Sequence, residues 1–234
     1  MSGKLLAAGA GRLNIENPND PLHTYTLEIT GKDNPKVLFL GTATGDDPTF
    51  IVSFYEAYHS GRCRPNHLRL FHRIHTDLRS FVLEQDIVCV GGGNTANALD
   101  VWRRQGLDVI LREAFARGTL MTGGSAGGLC WFEGGTTDSF GPRLEVLDDG
   151  LGLVPGSFCP HYDGDPQRRP LFHQAILDGR LKAGYAADDR VALRFDNAQL
   201  IGAVSAQPDG RAMKVFAHNG VVVEEPIEVT LLTD

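Results

Sequence analysis

Three short apolar runs that each end in glycine constrain this chain most: 36–40 before Gly41, 86–90 before Gly91 and 119–122 before Gly123. A short, mainly apolar run without alternation suits a strand buried on both faces, as in a parallel sheet. Helical patterns lie at 50–60, at 96–105 with Asn94 or Thr95 as N-cap and Gly106 as stop, and at 108–117 before Gly118. Strand, glycine turn and helix recur in that order. The pattern predicts an α/β fold, a mainly parallel sheet flanked by helices, with functional groups gathered outside the carboxyl ends of the strands.

Beyond residue 180 the texture changes to short β-rich runs at 190–195, 199–206, 213–217 and 221–224, separated by Asp-Asn, Pro-Asp-Gly and His-Asn-Gly turn signals. These predict a C-terminal β-rich extension built as an antiparallel meander. Further strands are expected at 4–8 and 23–30, and a helix at 169–178. No linker or repeat divides the chain, so residues 1–234 are expected to form a single domain.

Net charge −7 and the absence of a Lys/Arg stripe argue against a nucleic-acid partner. No apolar stretch approaches the roughly 18 residues of a membrane span, and residues 1–13 lack the features of a signal peptide, so a cytoplasmic protein with no membrane partner is expected. Cys63, Cys89, Cys130 and Cys159 show no CxxC spacing, and neither a disulfide framework nor a metal or other cofactor is implied.

The sharpest motif is Gly123-Gly124-Ser125-Ala126-Gly127, which follows an apolar run and precedes helix-compatible residues at 128–132. Small neighbours let the backbone take the strained strand-to-helix turn of a nucleophile elbow, with the serine hydroxyl held over the sheet edge. A serine needs a base to remove its proton and N–H donors for the developing oxyanion. Gly91-Gly92-Gly93 follows its own strand and can supply one donor. Ala126 N–H, next after the nucleophile, is the other. The string Gly91-Gly92-Gly93-Asn94-Thr95 satisfies neither common phosphate-loop pattern.

Eight histidines compete for the base. His72 and His75 could share a helix face but have no third ligand, and His173 reads as a surface residue of a helix. His161 stands apart in Phe158-Cys159-Pro160-His161-Tyr162-Asp163, an apolar lead-in fixed by proline and ending in a loop. For the acid that orients the imidazole, Glu133, Asp138 and the pair Asp188/Asp189 remain open. The pair is favoured slightly because it precedes a strand and so sits on a rigid element.

Together, the Gly91-Gly92-Gly93-Asn94-Thr95 turn, the Ser125 elbow after Arg117-Gly118, the Thr136-Thr137-Asp138-Ser139 segment and Pro160-His161 resemble the peptidase E family, aspartyl dipeptidase-like serine peptidases that include cyanophycinase. The resemblance spans about residues 36–205. It implies a class I glutaminase-like fold and a Ser-His-acid triad: Ser125 as nucleophile, His161 as base, the N–H groups of Gly93 and Ala126 as oxyanion hole, and Asp189 as acid, with Asp188 the minority choice. It also implies substrate contacts from Asn94 and Asp138, and recognition of an acidic side chain by Arg168 or Arg169 in the loop after the histidine.

The expectation is a serine peptidase acting on dipeptides or short peptides, with a preference for an N-terminal acidic residue. Alternatives are a cyanophycinase-like hydrolase of β-Asp-Arg peptides, a silent binding module of the same fold, and an esterase using Asp138. The expected partner is a small peptide, and a homodimer is an assembly the sequence allows.

Overall fold

Every second residue of a strand faces the same side, so a strand apolar throughout must be covered on both faces. In the computed structural model, which describes residues 3–10 and 20–233, β1 (Lys4–Ala8) turns Leu5 and Ala7 into one hydrophobic cluster and Leu6 and Ala8 into another. The chain continues through α1 (Pro21–Glu28), β2 (Lys36–Leu40), α2 (Pro48–Ala57), β3 (Arg64–Leu68), α3 (Leu78–Leu83) and β4 (Ile87–Val90). Then come α4 (Thr95–Gln105), α5 (Leu107–Ala116), β5 (Leu120–Gly124), α6 (Ala126–Leu129), β6 (Phe132–Thr137), β7 (Glu145–Leu147) and β8 (Val154–Cys159). The last elements are α7 (Arg168–Leu177), β9 (Gly184–Ala187), β10 (Val191–Asp196), β11 (Gln199–Ser205), β12 (Ala212–His218), β13 (Val221–Pro226) and β14 (Val229–Leu231).

Two sheets result. The larger has eight strands in the order β14-β11-β10-β1-β5-β4-β2-β3, parallel from β1 through β3, with β10 antiparallel to β1. The smaller has six, in the order β13-β12-β9-β8-β6-β7, parallel across β9, β8 and β6. One core contains Leu38, Val88, Met121 and Leu193 from the first sheet and Phe132, Val154 and Phe158 from the second. A second core lies on the opposite face of the large sheet against Leu22, Leu27 and Phe54 of α1 and α2, and a third packs Phe172, Ala175 and Ile176 of α7 on the small sheet. None of the helices among the described residues is long and apolar enough to cross a membrane.

The α/β class stands, and so do the glycine-terminated strands. Asn94 caps α4 by accepting from Asn97 N–H, and Gly106 ends it at φ 72°, a left-handed conformation that glycine takes without strain. Three expectations fail. Residues 23–30 lie mostly in α1, because Asp20 accepts from Leu22 N–H and Pro21 occupies the first turn, a start signal that outweighs the β-branched threonines. The helix expected at 128–132 stops at Leu129, and Phe132 opens β6. The C-terminal runs do not form one meander: β10 and β11 extend the large sheet, whereas β12 and β13 extend the small one. Residues 1, 2 and 11–13 of the expectation about a leader lie outside the described residues.

Candidate active site

The carboxyl ends of β4 and β5 lie side by side, with Val90 in register with Gly123. Glycine is required where the turn after β5 folds back on this edge. A Cβ on Gly127 or Gly123 would run into the Val90 carbonyl oxygen, and one on Gly93, held at φ 132°, into the Ala43 carbonyl oxygen. Ser125 itself takes φ 56° and ψ −119°, a conformation an L-residue adopts only under constraint. The constraint is visible: Ser125 N–H is shared between the carbonyls of Ala8 (3.1 Å) and Gly9 (3.2 Å), and the Ser125 carbonyl accepts from Gly128 and Leu129.

The hydroxyl so presented meets the predicted partners. Ser125 Oγ lies 2.8 Å from His161 Nε2, and His161 Nδ1 lies 2.6 Å from Asp189 Oδ1. A carboxylate cannot donate, so Nδ1 carries the proton toward Asp189 and Nε2 is left to accept from the serine. His161 stands at φ 53° at the end of β8, and Arg190, directly after Asp189, at φ 60°. Strained backbone therefore occurs at two members of the group and beside the third. Asp189 is further fixed by an isolated bridge to Ala10 and by Gln207 Nε2, which donates to its backbone carbonyl at 2.9 Å.

Of the alternative acids, Asp188 is turned away and buried. Its Oδ2 accepts from Arg211 N–H (3.1 Å) and Arg211 Nε (3.0 Å). Burial pushes its carboxyl above the usual range, Arg211 opposes this, and neighbouring Asp163 adds to the rise. Glu133 pairs with Lys182 at 2.8 Å and accepts from Gly156 N–H, and Asp138 is exposed.

The remaining predicted residues distribute as follows. A Cβ on Gly92 would stand 3.7 Å from Ser125 Cβ. Gly93 is exposed, and Ala126 is the buried first residue of α6. Asn94 is occupied structurally, capping α4 and donating from Nδ2 to the Ser139 carbonyl at 2.8 Å. Ser139 Oγ accepts from Thr95 and Ala96 N–H, so the segment carrying Asp138 is tied to the glycine loop. Arg168 is buried, donating to the Thr136 carbonyl at 2.9 Å, and Arg169 is held by Glu224.

Sequence reasoning missed Gln207, Arg211 and Glu224, which act on the site region across 18 to 55 residues of chain. No local string marks such contacts. Burial raises all four thiols: Cys63 to about 11, Cys89 and Cys159 to about 12, and Cys130 well above its ordinary value.

The model of peptidase family S51 matches residues 5–202. The uncharacterized peptidase YgaJ of Bacillus subtilis (strain 168) is 44% identical over 229 residues, covering 98% of this chain and 99% of that protein. Among solved structures, a candidate peptidase E protein from Listeria monocytogenes EGD-e matches with TM-score 0.63 at 21% identity, over 86% of this chain and 98% of that one. A peptidase from an acI-B1 actinobacterium matches with TM-score 0.69 at 16% identity, over 98% and 95% of the two chains. The last two likenesses speak to the fold, and the first two to descent. This chain belongs to peptidase family S51.

Proposed function

We propose that the protein is a serine peptidase that hydrolyses dipeptides or short peptides with Ser125, His161 and Asp189. The observation that carries this reading is the unbroken hydrogen-bonded chain from Ser125 Oγ through both imidazole nitrogens to Asp189. His161 Nε2 takes the Ser125 proton as the oxygen attacks the scissile carbonyl. Asp189 stabilises the imidazolium that forms. The oxyanion is held by the N–H groups of Gly93 and Ala126. In support, Ala126 opens α6, where the first N–H groups of a helix have no acceptor within it.

Collapse breaks the C–N bond as His161 returns its proton to the leaving amine. Water then attacks the acyl-enzyme, His161 again taking a proton, and Ser125 is regenerated. Free buried thiols at all four cysteines support a reducing compartment such as the cytoplasm. Arg168 donates to the Thr136 carbonyl and Arg169 pairs with Glu224, so neither guanidinium is held open for an acidic substrate residue.

The test is hydrolysis of an X-Leu dipeptide panel by the native protein and by Ser125→Ala. The expected loss of turnover is on the order of 10³-fold or more. Undiminished hydrolysis by Ser125→Ala contradicts the assignment.

A further inference from the structure

Behind the elbow, on the α1/α2 face of the large sheet, lies a cavity of about 340 Å³ that the mechanism above does not use. Its floor is made by in-register neighbours of three strands: Leu6 of β1, Thr122 of β5 and Cys89 of β4. Leu22 of α1 and Phe50 of α2 wall it, and Phe50 is 41% exposed. Toward the catalytic edge the described lining includes Gly91, Gly92, Gly123 and Gly124, which offer backbone in place of side chains. A Cβ on Gly92 would stand 3.7 Å from both Ser125 Cβ and the Gly124 carbonyl oxygen, so the cavity reaches within one side-chain layer of the nucleophile.

The size and lining decide what fits. Ligand sites typically span roughly 300–1,000 Å³ and are mostly apolar with a few polar groups. This one lies at the low end, enough for a residue side chain but not for a folded peptide. Among the described residues its charged lining pair, Asp20 and Arg190, neutralise each other at 2.7 Å, and His23 and Tyr58, also in the lining, are buried with ring centroids 5.2 Å apart. Asp20 also caps α1, and Arg190 Nη2 donates to the Ala206 carbonyl at 3.0 Å. An acidic side chain entering here would meet a carboxylate and find the guanidinium already paired, and a basic one would have to displace Arg190. A neutral, apolar side chain disturbs neither and removes its own carbon surface from water.

We infer that this cavity is the specificity subsite for an apolar side chain of the Leu, Met or Phe class on a residue flanking the scissile bond. The inference rests on the reading of Ser125 as nucleophile and gives that site a substrate class: short peptides with an apolar rather than an acidic residue.

The experiment measures binding, so that turnover does not decide it. Ser125→Ala is titrated calorimetrically with X-Ala and Ala-X dipeptides in which X is Ala, Leu, Phe, Asp or Lys. Leu or Phe peptides are expected to bind on the order of tenfold more tightly than the Ala peptide, with Asp no tighter than Ala. Two further substitutions in that background probe the cavity. Thr122→Phe fills it from the floor and should abolish the Leu/Phe advantage. Phe50→Ala, at a partly exposed wall position that tolerates change, should reduce it several-fold while leaving the Ala peptide unaffected. Equal affinity across the panel, tighter binding of Asp, no binding at all, or an advantage unchanged in Phe50→Ala overturns the proposal. The catalytic reading fails separately, when hydrolysis by otherwise native protein survives loss of the serine hydroxyl.

Discussion

At the scale of the residue, the distinction between Asp188 and Asp189 organises the site. The two are neighbours in sequence, yet one carboxylate meets His161 and the other meets Arg211. Replacing Asp189 by Asn keeps the shape but removes the negative charge that stabilises the imidazolium and offers an N–H that holds the imidazole in the wrong tautomer, and kcat should fall about 10⁴-fold. Asp188→Asn should leave kcat within about tenfold of native, because the amide oxygen can still accept from Arg211. A comparison of kcat for the two variants on one dipeptide checks this, and the reverse order would reassign the acid. Ser125 and the glycine strings around it were legible in the sequence because elbow and loop are local patterns. The choice between two adjacent aspartates was not, because it depends on a turn direction set by Arg211 and Ala10, which are distant in the chain.

At the scale of the element, Glu224 of β13 fastens α7 and the His161 loop to the small sheet through Tyr162, Arg169 and His173. Burial alone would raise its carboxyl, but hydrogen bonds from those three residues overcome this and hold it below the ordinary 4.5. A carboxyl depressed in the folded state contributes stability that is fully present above its ordinary value and lost as pH falls through the folded one. Glu224→Gln should therefore destabilise by about 1–2 kcal/mol at pH 7, and the deficit should shrink as pH drops below 4.5. Urea denaturation of both proteins at neutral and acidic pH checks it, and a deficit independent of pH contradicts the ionic account. The helices that bear this load were only partly readable. The helix expected at 169–178 is α7 (Arg168–Leu177), whereas β6 and β8 were not expected, because Gly134, Gly135, Pro155 and Gly156 interrupt their apolar pattern.

At the scale of the whole molecule, the two sheets share one core, and both tryptophans report on it. Trp102 and Trp131 are fully buried in that cluster with ring centroids 6.3 Å apart. Chemical unfolding followed by tryptophan fluorescence and by far-UV circular dichroism should give coincident single transitions, since neither sheet can open without exposing the common core. Separate midpoints would mean that the sheets unfold as independent units. The α/β class followed from the alternation of strand and helix, which any such sheet imposes. The division of the β-rich C-terminal part between two sheets did not, because turn signals specify that strands reverse but not which edge each one joins.

The central claim is that Ser125 is activated by His161. Its most direct test is covalent capture by a small serine-directed fluorophosphonate, read by intact mass and peptide mapping. The account predicts one adduct per chain, located on Ser125, formed by the native protein and slowed by orders of magnitude in His161→Ala. No adduct on Ser125, or labelling of the His161→Ala variant at the native rate, would contradict it.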